Sequence, residues 1–206
     1  MIAIVDYGMG NLRSVQKALQ HVGGEAEIVQ TPSQLSAGRK IVLPGVGAFR
    51  DAVARLHEQR LVEPLVQAAR DGVPFLGICL GLQLLFDVSY EVGEHVGLGV
   101  FPGKVVRFRF DSQTTGQDLR VPHMGWNQIR WDKPCPMLNG VQAGSFVYFA
   151  HSYYVVPINA DITCTSTEYG YNFVSSIWRG NVFATQFHPE KSQSVGLRIL
   201  ENFVNL

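Results

Sequence analysis

This sequence has few cysteines, no surplus of either charge and no long apolar run. Lysine plus arginine and aspartate plus glutamate both number 17, giving zero formal charge. There is thus no basic field to hold nucleic acid or an anionic membrane. The three cysteines, Cys79, Cys135 and Cys164, are odd in number and show no C-x-x-C spacing. That pattern signals neither a disulfide framework nor a zinc site, fits a reducing cytoplasm, and leaves Cys135 and Cys164 as structural thiols. The amino end reaches Asp6 after a few apolar residues, too short for a signal-peptide core, and no later run could span a bilayer. A soluble, unprocessed, cytoplasmic protein is expected. The six histidines lack any ligand spacing such as H-x-x-x-H, so no metal is expected. Gly8-Met9-Gly10 resembles the start of a dinucleotide fingerprint, but Arg13 stands where the third glycine belongs. No cofactor is expected.

What is present suits a packed globular chain. With 206 residues, 46% apolar and 17% charged, the chain is long enough for one domain with a proper core. An apolar run at 2–5, short strands around 27–29 and at 40–43, and the apolar 75–79 segment alternate with helical periodicity through Leu12, Val15 and Leu19, through Phe49, Val53 and Leu56, and over 64–70. Such strand-helix-strand spacing predicts a largely parallel sheet. Beyond Leu98 the pattern changes. Val106, Phe108 and Phe110 alternate with arginines, 111–118 reads as a polar loop, and 146–156, 162–169, 173–178 and 182–187 read as strands. Gly180-Asn181 suits a tight hairpin, and helical period returns at Leu197, Leu200 and Phe203. The expected fold is α/β: a central, mostly parallel sheet flanked by helices, with an antiparallel extension in the carboxy-terminal half, forming a single domain over 1–206.

The chain is organised around Gly77-Ile78-Cys79-Leu80-Gly81. In a strand-turn-helix elbow the nucleophile sits on a strained turn, and the flanking glycines let neighbouring backbone approach. A thiol at a helix start meets unpaired N–H groups and the positive end of the helix dipole, which favour thiolate. Taken alone, the motif also fits a buried strand-end cysteine. Phe187-His188-Pro189-Glu190 supplies a base and its orienter, since residues two apart in extended chain point the same way. Cys79, His188 and Glu190 therefore form a candidate triad. Leu80 offers one backbone N–H to an oxyanion, and the glycine-rich 44–47 loop offers a second at Val46. Gly45 tolerates positive φ, so the peptide joining it to Val46 could rotate and switch that donor in or out.

G-I-C-L-G-L-Q together with F-H-P-E resembles the class I (triad) glutamine amidotransferases. Within that class, Y-G-M-G-N-L, P-G-V-G-A-F, P-H-M-G-W-N and H-S-Y-Y are similar to the glutaminase subunits of imidazole glycerol phosphate synthases. The resemblance implies hydrolysis of glutamine through a cysteinyl thioester on Cys79. It implies ammonia transfer to a cyclase subunit, a (β/α)8 barrel forming a heterodimer with this chain and converting PRFAR to imidazole glycerol phosphate and AICAR in histidine biosynthesis. It places Gly47, Leu80, Gln83, Glu91, Ser152 and Tyr153 in the glutamine pocket, and Asn11, His123, Trp126 and Lys191 toward the cyclase. Two pocket assignments make physical sense: Gln83 follows Cys79 by one helical turn, and Glu91 can pair with a substrate ammonium. The alternatives are a γ-glutamyl peptidase using the same thiol chemistry and a non-catalytic binding module.

Overall fold

A computed structural model describes residues 1–35, 39–110 and 119–206. The 111–118 stretch read as a polar loop lies outside the described residues. The amino-terminal part alternates β1 (Ile2–Val5), α1 (Leu12–His21), β2 (Ala26–Val29), β3 (Lys40–Gly45), α2 (Phe49–Glu58), α3 (Val62–Arg70), β4 (Phe75–Cys79) and α4 (Leu80–Leu84). Then come β5 (Phe86–Ser89), β6 (His95–Val96), β7 (Phe101–Arg107), β8 (His123–Gln128), β9 (Phe146–His151), β10 (Tyr153–Pro157), β11 (Thr163–Tyr169), β12 (Tyr171–Arg179), β13 (Val182–Thr185) and α5 (Gln193–Val204).

β1, β4 and, after Lys40, β3 carry no polar side chain because both of their faces are covered. Ile41, Leu43 and Phe75 enter one core with Phe49, Leu56 and Leu65 from α2 and α3. Val42, Leu76 and Ile78 enter another with Val15 and Leu19 of α1 and Ile199 and Phe203 of α5. Residues of one strand thus alternate between two layers of helix.

The main sheet runs β2-β1-β3-β4-β13-β12-β10-β7-β5-β6, with β11 paired to β12. The β2 to β13 portion is parallel. β12 then turns the sheet antiparallel through a hairpin whose two-residue loop is Gly180-Asn181, Gly180 having φ +59°. Because β4 lies between β3 and β13 and all three are parallel, their carboxyl ends meet at one edge: Gly45 pairs with Cys79, and Thr185 with Ile78. Open α/β sheets bind ligands outside such strand ends.

Several boundaries differ from the sequence reading. The alternating 106–110 segment belongs to a strand that starts at Phe101 and ends at Arg107, after which Phe108 turns into a cluster of aromatic rings. The 146–156 run is two strands broken at Ser152; β9 leaves the main sheet to pair only with β8, while β10 pairs with β7 and β12. The 64–70 helix begins two residues earlier, at Val62, with Pro64 inside its first turn, where a missing N–H costs nothing. Among the described residues no helix is long and apolar enough to cross a membrane.

Candidate active site

Cys79 ends β4 and stands immediately before α4 with φ +55° and ψ −107°, a region that a residue bearing a Cβ adopts only under strain. That strain costs on the order of 1–3 kcal/mol and is held by strand pairing on both sides of β4. Close packing explains the two flanking glycines. A Cβ on Gly81 would overlap the carbonyl oxygen of Leu43, and one on Gly77 would lie 2.9 Å from the Gly81 oxygen and 3.0 Å from Ala184 Cβ. The short helix α4 is therefore pressed against β3 and β4, and the turn that joins it to the strand has no room to relax.

His188 follows β13 on the neighbouring strand end. Its Nδ1 is 2.9 Å from Glu190 Oε1, and the two side chains are only 3% and 2% exposed. Since a carboxylate accepts, Nδ1 donates, and Nε2 is left as the ring nitrogen that can exchange a proton with a neighbour. Burial alone would lower the His188 pKa, but hydrogen bonding and charge interaction with Cys79 and Glu190 outweigh it and raise the value from 6.5 to about 10. The ring is therefore protonated through neutral pH. Protonation here stabilises the fold: the contribution is complete below about pH 6.5 and is lost as pH rises through about 10. In a Cys79→Ala variant the imidazole should titrate clearly below about 10 when followed by nitrogen NMR. An unchanged value would mean that the thiol and the ring do not interact.

The turn that carries His188 is fixed by backbone and hydroxyl contacts absent from the sequence reading. His188 N–H donates to Tyr148 O at 2.9 Å. Ser192, fully buried, donates to His188 O at 2.6 Å and accepts from Tyr148 N–H at 3.0 Å. Gly196 in α5 has its back against Pro189, where a Cβ would overlap the proline carbonyl. Gln186, also buried, donates to Cys79 Sγ at 3.7 Å and accepts from Gln83 Nε2 at 3.1 Å. Its place directly before F-H-P marks it in the sequence only in hindsight.

A cavity of about 240 Å³ opens onto Cys79, lined among others by Val46, Gly47, Leu80, Gln83, Glu91 and Tyr153. Ser152 and His151 also line it. Gln83 donates both amide hydrogens, to Gln186 and to Tyr153 O at 3.0 Å, so its carbonyl oxygen is what it can offer a ligand. Glu91 Oε2 accepts from Phe49 N–H at 2.6 Å. The carboxylate thereby caps α2, whose own N-cap Ala48 makes no side-chain cap, and complements the helix dipole.

The 44–47 loop runs between Tyr7 and Glu91. The buried Tyr7 hydroxyl donates to Pro44 O at 2.9 Å. Among these loop glycines the positive φ falls at Gly47, +101°, and not at Gly45. What requires glycine at 45 in this conformation is space, since a Cβ would overlap Tyr7 Oη and lie 3.0 Å from Leu80 Cβ.

Of the four residues expected to face a partner, Asn11, Trp126 and Lys191 are exposed. Lys191 Nζ lies 5.8 Å over the Tyr148 ring, whose edge meets Trp126 with centroids 6.1 Å apart. His123 differs from the other three: it is 3% exposed and stacked between Tyr169 and Phe149. Its strand alternates, so Met124 and Trp126 point outward while 123 points in. Cys135 and Cys164 are buried in the core beside α5. Among the described residues no group of three or more potential metal ligands is found.

A strained thiol beside the strand end that carries a carboxylate-held imidazole has the parts that acyl transfer uses. The chain is 56% identical over 203 residues to "Imidazole glycerol phosphate synthase subunit HisH" of Syntrophotalea carbinolica, covering 98% of both chains. The protein of that name in Geobacter sulfurreducens is 51% identical, with 98% of this chain and 97% of the relative covered. Among solved structures, one titled "Crystal structure of glutamine amidotransferase" superposes with TM-score 0.75 at 18% identity, covering all of both chains. PurLQS from Thermotoga maritima gives TM-score 0.75 at 20% identity, over 99% of this chain and 97% of that one. These two show a shared fold. Residues 3–206 match the family described as Glutamine amidotransferase class-I, and with a strained thiol, a carboxylate-held imidazole and whole-length relatives all in agreement, the chain belongs to that family.

Proposed function

We propose that this chain is the glutaminase subunit of imidazole glycerol phosphate synthase, hydrolysing glutamine and passing ammonia to a cyclase subunit in cytoplasmic histidine biosynthesis. The observation that carries the reading is a strained Cys79 at the end of β4 together with, just beyond the parallel neighbour β13, a buried His188 whose Nδ1 is held by Glu190 at 2.9 Å.

Glutamine enters the cavity with its ammonium toward Glu91 and the Gln83 carbonyl oxygen, and its amide carbonyl toward Cys79. With His188 already carrying hydrogen on Nε2, the Cys79 sulfur adds to the amide carbon as thiolate. The N–H groups of Leu80 and Val46 receive the oxyanion, a donor of this kind being worth about 3 kcal/mol. The imidazolium then protonates the departing nitrogen, releasing ammonia and leaving a γ-glutamyl thioester. His188 takes a proton from water, hydroxide attacks the thioester, and glutamate leaves with the thiolate and the protonated ring restored. Glu190 keeps Nδ1–H donating throughout, so the same nitrogen serves in both half-reactions.

The partner in this reading is a (β/α)8 barrel covering the face that bears Trp126, Met124, Asn11 and Lys191. Met124 and Trp126 are 64% and 45% exposed, unusual for large apolar side chains on a surface of polar rim residues. Coupling between the two sites predicts that glutamine turnover rises at least about tenfold when cyclase carrying its nucleotide ligand is added. Glutamate release assayed with and without the liganded partner tests this, and equal rates would refute it.

A further inference from the structure

One buried polar chain has no part in the chemistry above. His151 Nδ1 lies 2.8 Å from Tyr153 O, His151 Nε2 lies 3.1 Å from His123 Nδ1, and His123 Nε2 lies 3.3 Å from Asn127 Nδ2. The sense of each bond follows from the ends. A carbonyl can only accept, so His151 Nδ1 carries hydrogen. Asn127 Oδ1 accepts from Gln128 N–H at 2.8 Å, so its Nδ2 is the donor toward His123. With one donor and one acceptor nitrogen on each ring, every link is satisfied only when both imidazoles are neutral and hydrogenated on Nδ1. Burial agrees, drawing His123 down to about 4 and His151 to about 3, the latter despite its bond to Tyr153.

The chain does not stop at His151. Tyr153 O also accepts from Gln83 Nε2 at 3.0 Å, and Gln83 reaches Gln186, which touches Cys79 Sγ. At its outer end Asn127 belongs to β8, the strand whose alternate residues Met124 and Trp126 are exposed. His123 is stacked between Phe149 of the paired strand β9 and Tyr169 of β11, ring centroids 4.8 and 3.9 Å away, which leaves its ring little room to turn about its own side-chain torsions.

We propose that His123 and His151 are positioning residues for glutamine: a neutral, directional imidazole pair that sets the Tyr153 carbonyl, and through it Gln83, according to the position of strand β8. This rests on the glutaminase reading and extends it. The occupant of the pocket and the chemistry at Cys79 stay as derived; what is added is the route by which a displacement of the exposed strand reaches the amino-acid subsite. No proton moves along the chain in this role.

The test uses the chain together with its cyclase partner and the nucleotide ligand. His123→Leu removes the donor to His151, and KM for glutamine should rise about tenfold while kcat stays within about threefold. His123→Asn places an amide N–H near the lost Nδ1, and KM should return to within about threefold of wild type. A merely structural role would lower stability in both variants without this split. If His123→Leu leaves KM unchanged, or if His123→Asn is as impaired as leucine, the proposal is overturned. Should His123→Leu fail to fold, nitrogen NMR of the wild-type rings decides alone: both rings neutral with hydrogen on Nδ1 supports the pair, and a charged ring or hydrogen on Nε2 overturns it. Wild-type glutamine turnover in the same assay tests the glutaminase reading separately, so the two failures are distinguishable.

Discussion

Replacing Cys79 with alanine should lower glutamine turnover by on the order of 10,000-fold or more, since loss of one member of a nucleophile-base unit removes the whole covalent route. The fold should survive, because the thiol contributes only a small buried side chain. A second substitution separates chemistry from strain. Cys79 adopts φ +55°, which glycine accepts freely and alanine does not. Cys79→Gly should therefore be as inactive as Cys79→Ala yet about 1 kcal/mol more stable in urea denaturation. Equal stability of the two variants would mean that the elbow holds no backbone strain.

Gly81→Ala should damage both the fold and the site. Its Cβ would occupy the Leu43 carbonyl oxygen, a backbone atom of a strand paired on both sides, so neither partner can yield by rotating a side chain. Helix α4 would have to lift away from β3, taking with it Leu80, the oxyanion donor, and Gln83. A loss of at least about 3 kcal/mol is expected from such backbone overpacking, with turnover abolished even where the protein remains folded. Denaturant unfolding followed by circular dichroism, alongside the glutaminase assay, checks both parts. Wild-type stability in Gly81→Ala would contradict the packing described for the elbow.

How much of this was legible in the sequence depended on whether a feature is local. β1, β3 and β4 are buried on both faces and so appear as continuous apolar runs, and Gly180-Asn181 marks its hairpin because a two-residue loop demands such residues. The candidate triad could be proposed because G-x-C-x-G and H-P-E each encode their own turn. By contrast, β8 carries His123, Gly125 and Asn127 on one side, a pattern with no apolar alternation, and was not recognised as a strand. The break at Ser152 was invisible for a related reason: apolar and aromatic residues continue across it while the strand changes sheets. The burial of His123 depends on rings contributed by Tyr169 and Phe149, and the roles of Gln186 and Ser192 depend on which distant carbonyl or sulfur each meets. Gly45 shows the converse: a flexible residue suggests a torsional role, and its neighbours Tyr7 and Leu80, distant in sequence, also require its small size in this conformation.

The central claim is that His188 makes the Cys79 sulfur a nucleophile aimed into a glutamine pocket. Its most direct measurement is the rate at which a glutamine-mimicking electrophile, such as a halomethyl ketone built on the glutamine side chain, alkylates the protein, with the modified residue identified by mass spectrometry. The account predicts one adduct, on Cys79, suppressed by excess glutamine and formed about 100-fold more slowly in His188→Ala. Comparable labelling of Cys135 or Cys164, no protection by glutamine, or an unchanged rate without His188 would contradict it.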